Sequence, residues 1–364
     1  GHKRVKNQNQ ESSEMVKSED FLPAASGLDG IEWTEDTPKL ILSYGDAAAE
    51  RHSALTGAFL KDVRAARVIR TEGENGEKLL RRLITADVAK HATGDCLLAS
   101  MLNASGGVMQ EVAVIAHTGY WDVVLFPETA DTGLAWSRQV AVSFEAEVEQ
   151  PEDRHVFWLG GPLASDTLKK VDCAVPKAGS FTEPEAGVQV CAFEDIFLIQ
   201  GETAKLDAFW KKLAAAGAAP IGEEAWEAAR TAICLPAFGC DYDESSSPLE
   251  VGLGSSVDFS DPARMFIGRA LTEARYRAGI RCRLGVLEIQ SEDDASKLDS
   301  APEVVLRGNS SEGGIITTWT VSDSGTILAL ALLPAESHIG DEAEVSYRAG
   351  GEDRVCAGKV IRLR

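Results

Sequence analysis

The sequence predicts an α+β fold ending in a small antiparallel β-barrel, and three stretches carry that prediction. Residues 79–115 begin with Leu79-Leu80-Arg81-Arg82-Leu83-Ile84, apolar at helical spacing, then give two short apolar runs either side of Gly106-Gly107. That is a helix followed by a hairpin-like strand pair with a permissive bend. Leu206, Phe209, Trp210 and Leu213 repeat at the spacing of an amphipathic helix, and Gly217 is placed to end it. After Arg275 the pattern turns to short apolar runs separated by Gly and Ser, the mark of a small antiparallel barrel.

Taken in order, residues 1–36 are rich in Asn, Gln, Ser and Glu and hold too little apolar surface to offset their ordering entropy, so a disordered or draped leader is expected. Ordered structure should start at Leu40-Ile41-Leu42. Residues 46–55 read as a helix, 62–69 as a strand, 77–84 as the helix of the opening stretch, 96–102, 108–117 and 121–126 as strands, and 132–139 as a helix. Val140, Val142 and Phe144 alternate with small or polar residues, which predicts a strand. Residues 155–159 read as an apolar strand, Gly160-Gly161-Pro162 punctuates it, and 165–171 follow as a helix. A strand over 192–199 precedes the amphipathic helix, whose Trp210 belongs to the core on that periodicity, and 223–234 form a further helix. Barrel strands are read at 284–289, 304–307, 314–318, 326–332, 342–347 and 359–363.

At 364 residues, two or three compact units are expected. No apolar run approaches the roughly 18 residues needed to cross a bilayer, which argues against membrane insertion. The 57 acidic and 36 basic residues give a net charge of −21, which repels phosphate backbones and argues against nucleic acid as a partner. Arg275, Arg277, Arg281 and Arg283 form either a local basic patch or a solvated rim. The seven cysteines are scattered, with no Cys-x-x-Cys pair, and read as buried thiols in a reducing compartment. The nearest pair, Cys234 and Cys240, has no flanking metal-ligand set. The chain opens Gly1-His2-Lys3, which fits a residual tag or a processed presequence. A natural start would imply the mitochondrial matrix or chloroplast stroma; otherwise the cytoplasm is expected.

Met101-Leu102-Asn103-Ala104-Ser105-Gly106-Gly107 and the amide and acidic pair Gln110-Glu111 resemble a motif of the glycine-cleavage T-protein family, the folate-dependent aminomethyltransferases. Far along the chain, Tyr242-Asp243-Glu244-Ser245-Ser246-Ser247-Pro248-Leu249-Glu250-Val251-Gly252-Leu253 and Phe266-Ile267-Gly268-Arg269-Ala270-Leu271 are similar to a second, in the family's order. Gly314-Ile315-Ile316-Thr317 and Ile327-Leu328-Ala329-Leu330-Ala331 resemble its barrel strands. The resemblance implies a three-domain cloverleaf of the aminomethyltransferase type. Residues 37–65 with 151–275 would form a discontinuous first α+β domain, 66–150 a second and 280–364 the barrel, behind a leader over 1–36. It also implies tetrahydrofolate in a central channel and one-carbon transfer at its N5.

On that resemblance the cofactor-binding candidates are Met101, Asn103, Gly106, Gly107, Glu194, Arg230 and Phe238. Gly106-Gly107 offers bare backbone to a flat ligand, though on spacing alone it reads as an ordinary hairpin turn. Arg230 lines up with an arginine near the family's folate site and suits a two-pronged grip on a folate carboxylate; an ion pair with Glu227 or Glu224 is the alternative. The catalytic candidates Gln110 and Glu111 replace the family's acidic pair. Gln110 cannot exchange a proton near neutral pH, and Glu111, one position on along a strand, points to the opposite face. The family's Tyr-Thr-Gly-Glu-x-Gly-Tyr-Glu segment shortens here to Val190-Cys191-Ala192-Phe193-Glu194-Asp195-Ile196, and Phe238 lacks the family's aromatic hydroxyl. The related iron-sulfur assembly branch carries a cysteine motif before the barrel; Ala263-Arg264-Met265-Phe266 stands here instead. Two functions follow as expectations: a folate-binding aminomethyltransferase-like protein acting with a small one-carbon donor, or a non-catalytic subunit of that fold in a larger, organellar protein complex.

Overall fold

The computed structural model describes residues 4–6, 30–35, 40–63, 65–307 and 313–364. They group into two units: one holds the chain up to Leu83 with Asp87–Ala99 and Gln110–Trp226, the other Ile84–Ala86, Ser100–Met109 and Glu227–Arg364. The tip of the Gly-Gly hairpin and the segment after Trp226 group with the barrel. Most of the expected leader lies outside the described residues; within it, β1 (Arg4–Lys6) pairs antiparallel with β2 (Glu32–Thr34), which pairs with β3 (Ile41–Ser43).

The first unit contains two larger sheets. One has the order β10 (Phe181–Glu185), β11 (Val188–Ala192), β12 (Phe197–Glu202), β9 (Arg154–Gly160), β4 (Ala58–Asp62), β13 (Ala218–Pro220), antiparallel except between β4 and β13. Helices α1 (Ala47–Thr56), α4 (Ala164–Lys170) and α5 (Thr203–Ala215) contact its strands. The stripe Leu206, Phe209, Trp210 and Leu213 is buried there with Phe157 and Leu159, and Gly217 beyond the helix adopts positive φ. Each such side chain contributes about 1.5–3 kcal/mol by leaving water. The other sheet has the order β5 (Arg67–Glu72), β8 (Tyr120–Leu125), β7 (Val108–Ala116), β6 (Cys96–Leu102), with α2 (Gly73–Leu83) and α3 (Ala130–Ala141) packed on β5 and β8.

In the second unit, α6 (Glu223–Ala232) enters from the first, α7 (Arg269–Ala278) follows a long loop, and six strands close a barrel. These are β14 (Cys282–Ile289), β15 (Glu303–Leu306), β16 (Gly313–Val321), β17 (Ile327–Pro334), β18 (Glu342–Ala349) and β19 (Glu352–Leu363), in the order β14-β17-β16-β15-β18-β19, with β19 returning to β14. Every predicted barrel strand is present. Strict alternation explains why: β18 buries every second residue, so one face reads as core in the sequence itself.

Three strand expectations are corrected. The strand over 62–69 is the end of β4 and the start of β5, broken where Ala65 takes positive φ. Val140, Val142 and Phe144 do not form a strand: α3 runs to Ala141, a 3-10 turn follows, and Val142 is 78% exposed because no neighbouring strand takes up its side. The strand over 192–199 is a hairpin whose turn is closed by Phe193 N–H donating to the Ile196 carbonyl. Helix α7 was unforeseen because only Arg269 and Thr272 of it are buried, leaving no apolar period to read. The thiols also divide: Cys96, Cys173, Cys191 and Cys234 are buried, but Cys240 is exposed.

Candidate functional site

The hairpin tip is built by Asn103. Its side-chain oxygen accepts from the N–H groups of Ser105 at 3.0 Å and Gly107 at 2.9 Å, and its amide donates to the Glu244 carbonyl at 2.8 Å. The Asx-type turn this makes brings the second motif against the first: Val108 N–H donates to the Ser246 carbonyl at 3.0 Å. A Cβ on Gly107 would collide with the Glu244 carbonyl oxygen, and Gly106, at φ +81, would meet the Thr272 hydroxyl. Both glycines are buried, so the bare backbone pictured as a ligand platform is covered by the protein's own chain. Met101 is fully buried. Phe238 packs edge-on against Tyr242 with ring centroids 5.6 Å apart, in the cluster of Leu102, Val108 and Phe266.

Arg230 is 1% exposed. Its Nε and Nη2 donate to Glu227 at 2.8 Å each, Nη1 to Asp241 at 2.7 Å and to the Leu235 carbonyl at 3.2 Å, and Nη2 also to Thr318 at 3.0 Å. All five N–H donors are thereby used. Asp241, itself buried, accepts in addition from Ala237 N–H and from the hydroxyls of Thr317 and Thr318. Burial alone would lower the guanidinium pKa, but the Glu227 and Asp241 carboxylates raise it overall. Of the two roles the sequence left open, the one observed is the ion pair with Glu227, buried rather than on the surface.

Within the first unit, Gln110 turns its carboxamide under α3, where Nε2 donates to the Phe126 carbonyl at 3.3 Å and Oε1 abuts Gly133. Glu111 follows on the other face of β7, the side on which Ile115 lies opposite Asp122. Phe126 and Trp158 stack at 5.4 Å, and Trp226 stacks on Trp158 at 6.4 Å, so aromatic side chains fill this part of the unit. Glu194 lies exposed in the β11–β12 turn. Sequence reasoning missed a buried polar layer. Arg70 makes a two-pronged pair with Asp122 at 2.7 and 3.0 Å, His117 Nε2 stands 3.3 Å from the same carboxylate, and Gln200 bridges to Gln189 at 2.8 Å. Burial would raise the Asp122 pKa, yet His117 and Arg70 hold it below the ordinary value. Alternation hid this layer, since Asp122 sits in a run that reads as plain strand.

The GCVT N-terminal domain family matches this chain over residues 42–261. The chain belongs to that family. Its fold is also similar to the crystal structure of glycine cleavage system aminomethyltransferase T from Bartonella henselae, with a TM-score of 0.76 and 20% identity over 91% of this chain and 93% of that one. In this GCVT-domain chain, Asn103, Gly106, Gly107, Met101, Phe238 and Arg230 are gathered in the second unit, where their observed contacts are structural. Gln110, Glu111 and Glu194 belong to the first. Within the second unit the Arg230 guanidinium has all its donors engaged, and within the first the Gln110 carboxamide faces a helix.

Proposed function

We propose that this chain is a non-catalytic member of the GCVT-domain fold that serves as a subunit of a larger protein assembly, with an organellar matrix or stroma as its compartment. The observation that carries the reading is Arg230, whose five donors all satisfy groups of its own unit. Gln110 supports it, since a carboxamide under α3 neither exchanges protons nor reaches a ligand. The motifs that survive from the family, Asn103 to Gly107 and the loop from Tyr242, are those that fold the hairpin tip.

Tetrahydrofolate binding without turnover is the second reading, favoured by Glu111, which keeps a carboxylate on the face of β7 away from α3. Two measurements test the proposal. Size fractionation of native extract from the source should find the endogenous chain well above its 38.9 kDa monomer mass. A folate-dependent one-carbon transfer assay should show no turnover for the wild type or for Gln110→Asp. A monomeric endogenous chain, or a gain on the order of the 10²-fold typical of acid-base catalysis in Gln110→Asp, would overturn it.

A further inference from the structure

Beside α7, the second unit holds a cleft of about 490 Å³ whose lining includes Gly106 but none of the other cofactor-binding or catalytic candidates. We propose that this cleft is a binding site for a small carboxylate, gripped by Arg281. Its floor is fixed by Glu250, which is 9% exposed and accepts from Arg281 N–H at 3.0 Å and from Arg275 Nη1 at 3.2 Å. Glu250 and the Arg275 side chain therefore cancel in charge. Arg281 also lines the cleft and is exposed, and its guanidinium donates to no group among the described residues. It is a full positive charge with a planar fork of donors, the geometry that matches a carboxylate.

The remaining lining suits the rest of such a ligand. Ser247 Oγ accepts from Leu249 N–H at 3.4 Å and keeps its own proton to donate. Ala274, Ala278 and the 55% exposed Leu271 give one wall an apolar surface for a short hydrocarbon body. Charge selects among anions. One uncompensated guanidinium matches a monoanion, whereas a phosphate approaching a dianion would meet the Glu250 carboxylate and the field of a chain carrying −21. The site is independent of whether the chain transfers one-carbon units.

The test is an amide-resonance titration of the full chain with butanoate, with butanamide and inorganic phosphate as comparison probes and Arg281→Ala as the variant. Butanoate should shift the Ser105, Gly106, Ala278 and Gly279 resonances saturably, at least tenfold more tightly than either comparison probe. Arg281→Ala, an exposed site, should keep the remaining spectrum and weaken butanoate at least tenfold. Absence of a saturable shift at tens of millimolar, unchanged affinity in Arg281→Ala, or phosphate binding as tightly as butanoate would overturn the proposal.

Discussion

Arg230 and Asp241 are each enclosed by partners near in sequence and by barrel hydroxyls far from them, and their energetics follow from that enclosure. Removing one partner of a buried pair strands the other charge, at a cost of about 3–5 kcal/mol. Urea unfolding of Arg230→Met should show a loss of this size, with part regained in Arg230→Met/Asp241→Leu. A single-variant loss under about 1 kcal/mol, the range of exposed ion pairs, would mean that the guanidinium does not anchor the unit. Asp122 gives a pH prediction. Its folded pKa lies below its unfolded value near 3.9, so it contributes stability above that pH which is lost as pH falls through the folded value. Between about pH 4 and pH 2, the stability of Asp122→Asn should therefore fall less steeply than that of the wild type, as followed by thermal melts. Neither role was legible in the sequence: Arg230 showed its neighbour Glu227, but nothing local marked Asp241 or Thr318 as its other partners.

At the scale of elements, the barrel and the amphipathic helix α5 were readable because each buries one face in a regular period. The turn at 193–196 and helix α7 were not. The first hides inside a continuous apolar run, and the second holds its place with Arg269, whose guanidinium donates to the carbonyls of Phe259, Asp261 and Arg264, rather than with an apolar stripe. The Gly-Gly hairpin was legible as a bend, but its occupant was not, since the Glu244 carbonyl comes from a loop far along the chain. Gly107→Ala should consequently destabilise by about 1–3 kcal/mol or more, the scale of overpacking, and should perturb the 243–247 loop in amide exchange. Wild-type stability with an undisturbed loop would show that the close approach is not needed.

For the whole molecule, two motifs in the family's order identified the fold, while the use of individual site residues depended on long-range contacts that no motif encodes. The net charge of −21 has its own consequence: self-repulsion opposes the compact state. Raising sodium chloride from about 10 mM to about 300 mM, which shortens the screening length from roughly 30 Å to below 10 Å, should raise the melting temperature; a fall would contradict it. We propose that Arg230 and Gln110 serve the protein's own packing rather than a ligand. Titration calorimetry of the full chain with tetrahydrofolate tests it most directly. The account predicts no saturable heat at millimolar ligand, whereas micromolar binding, worth about −8 kcal/mol, would contradict it.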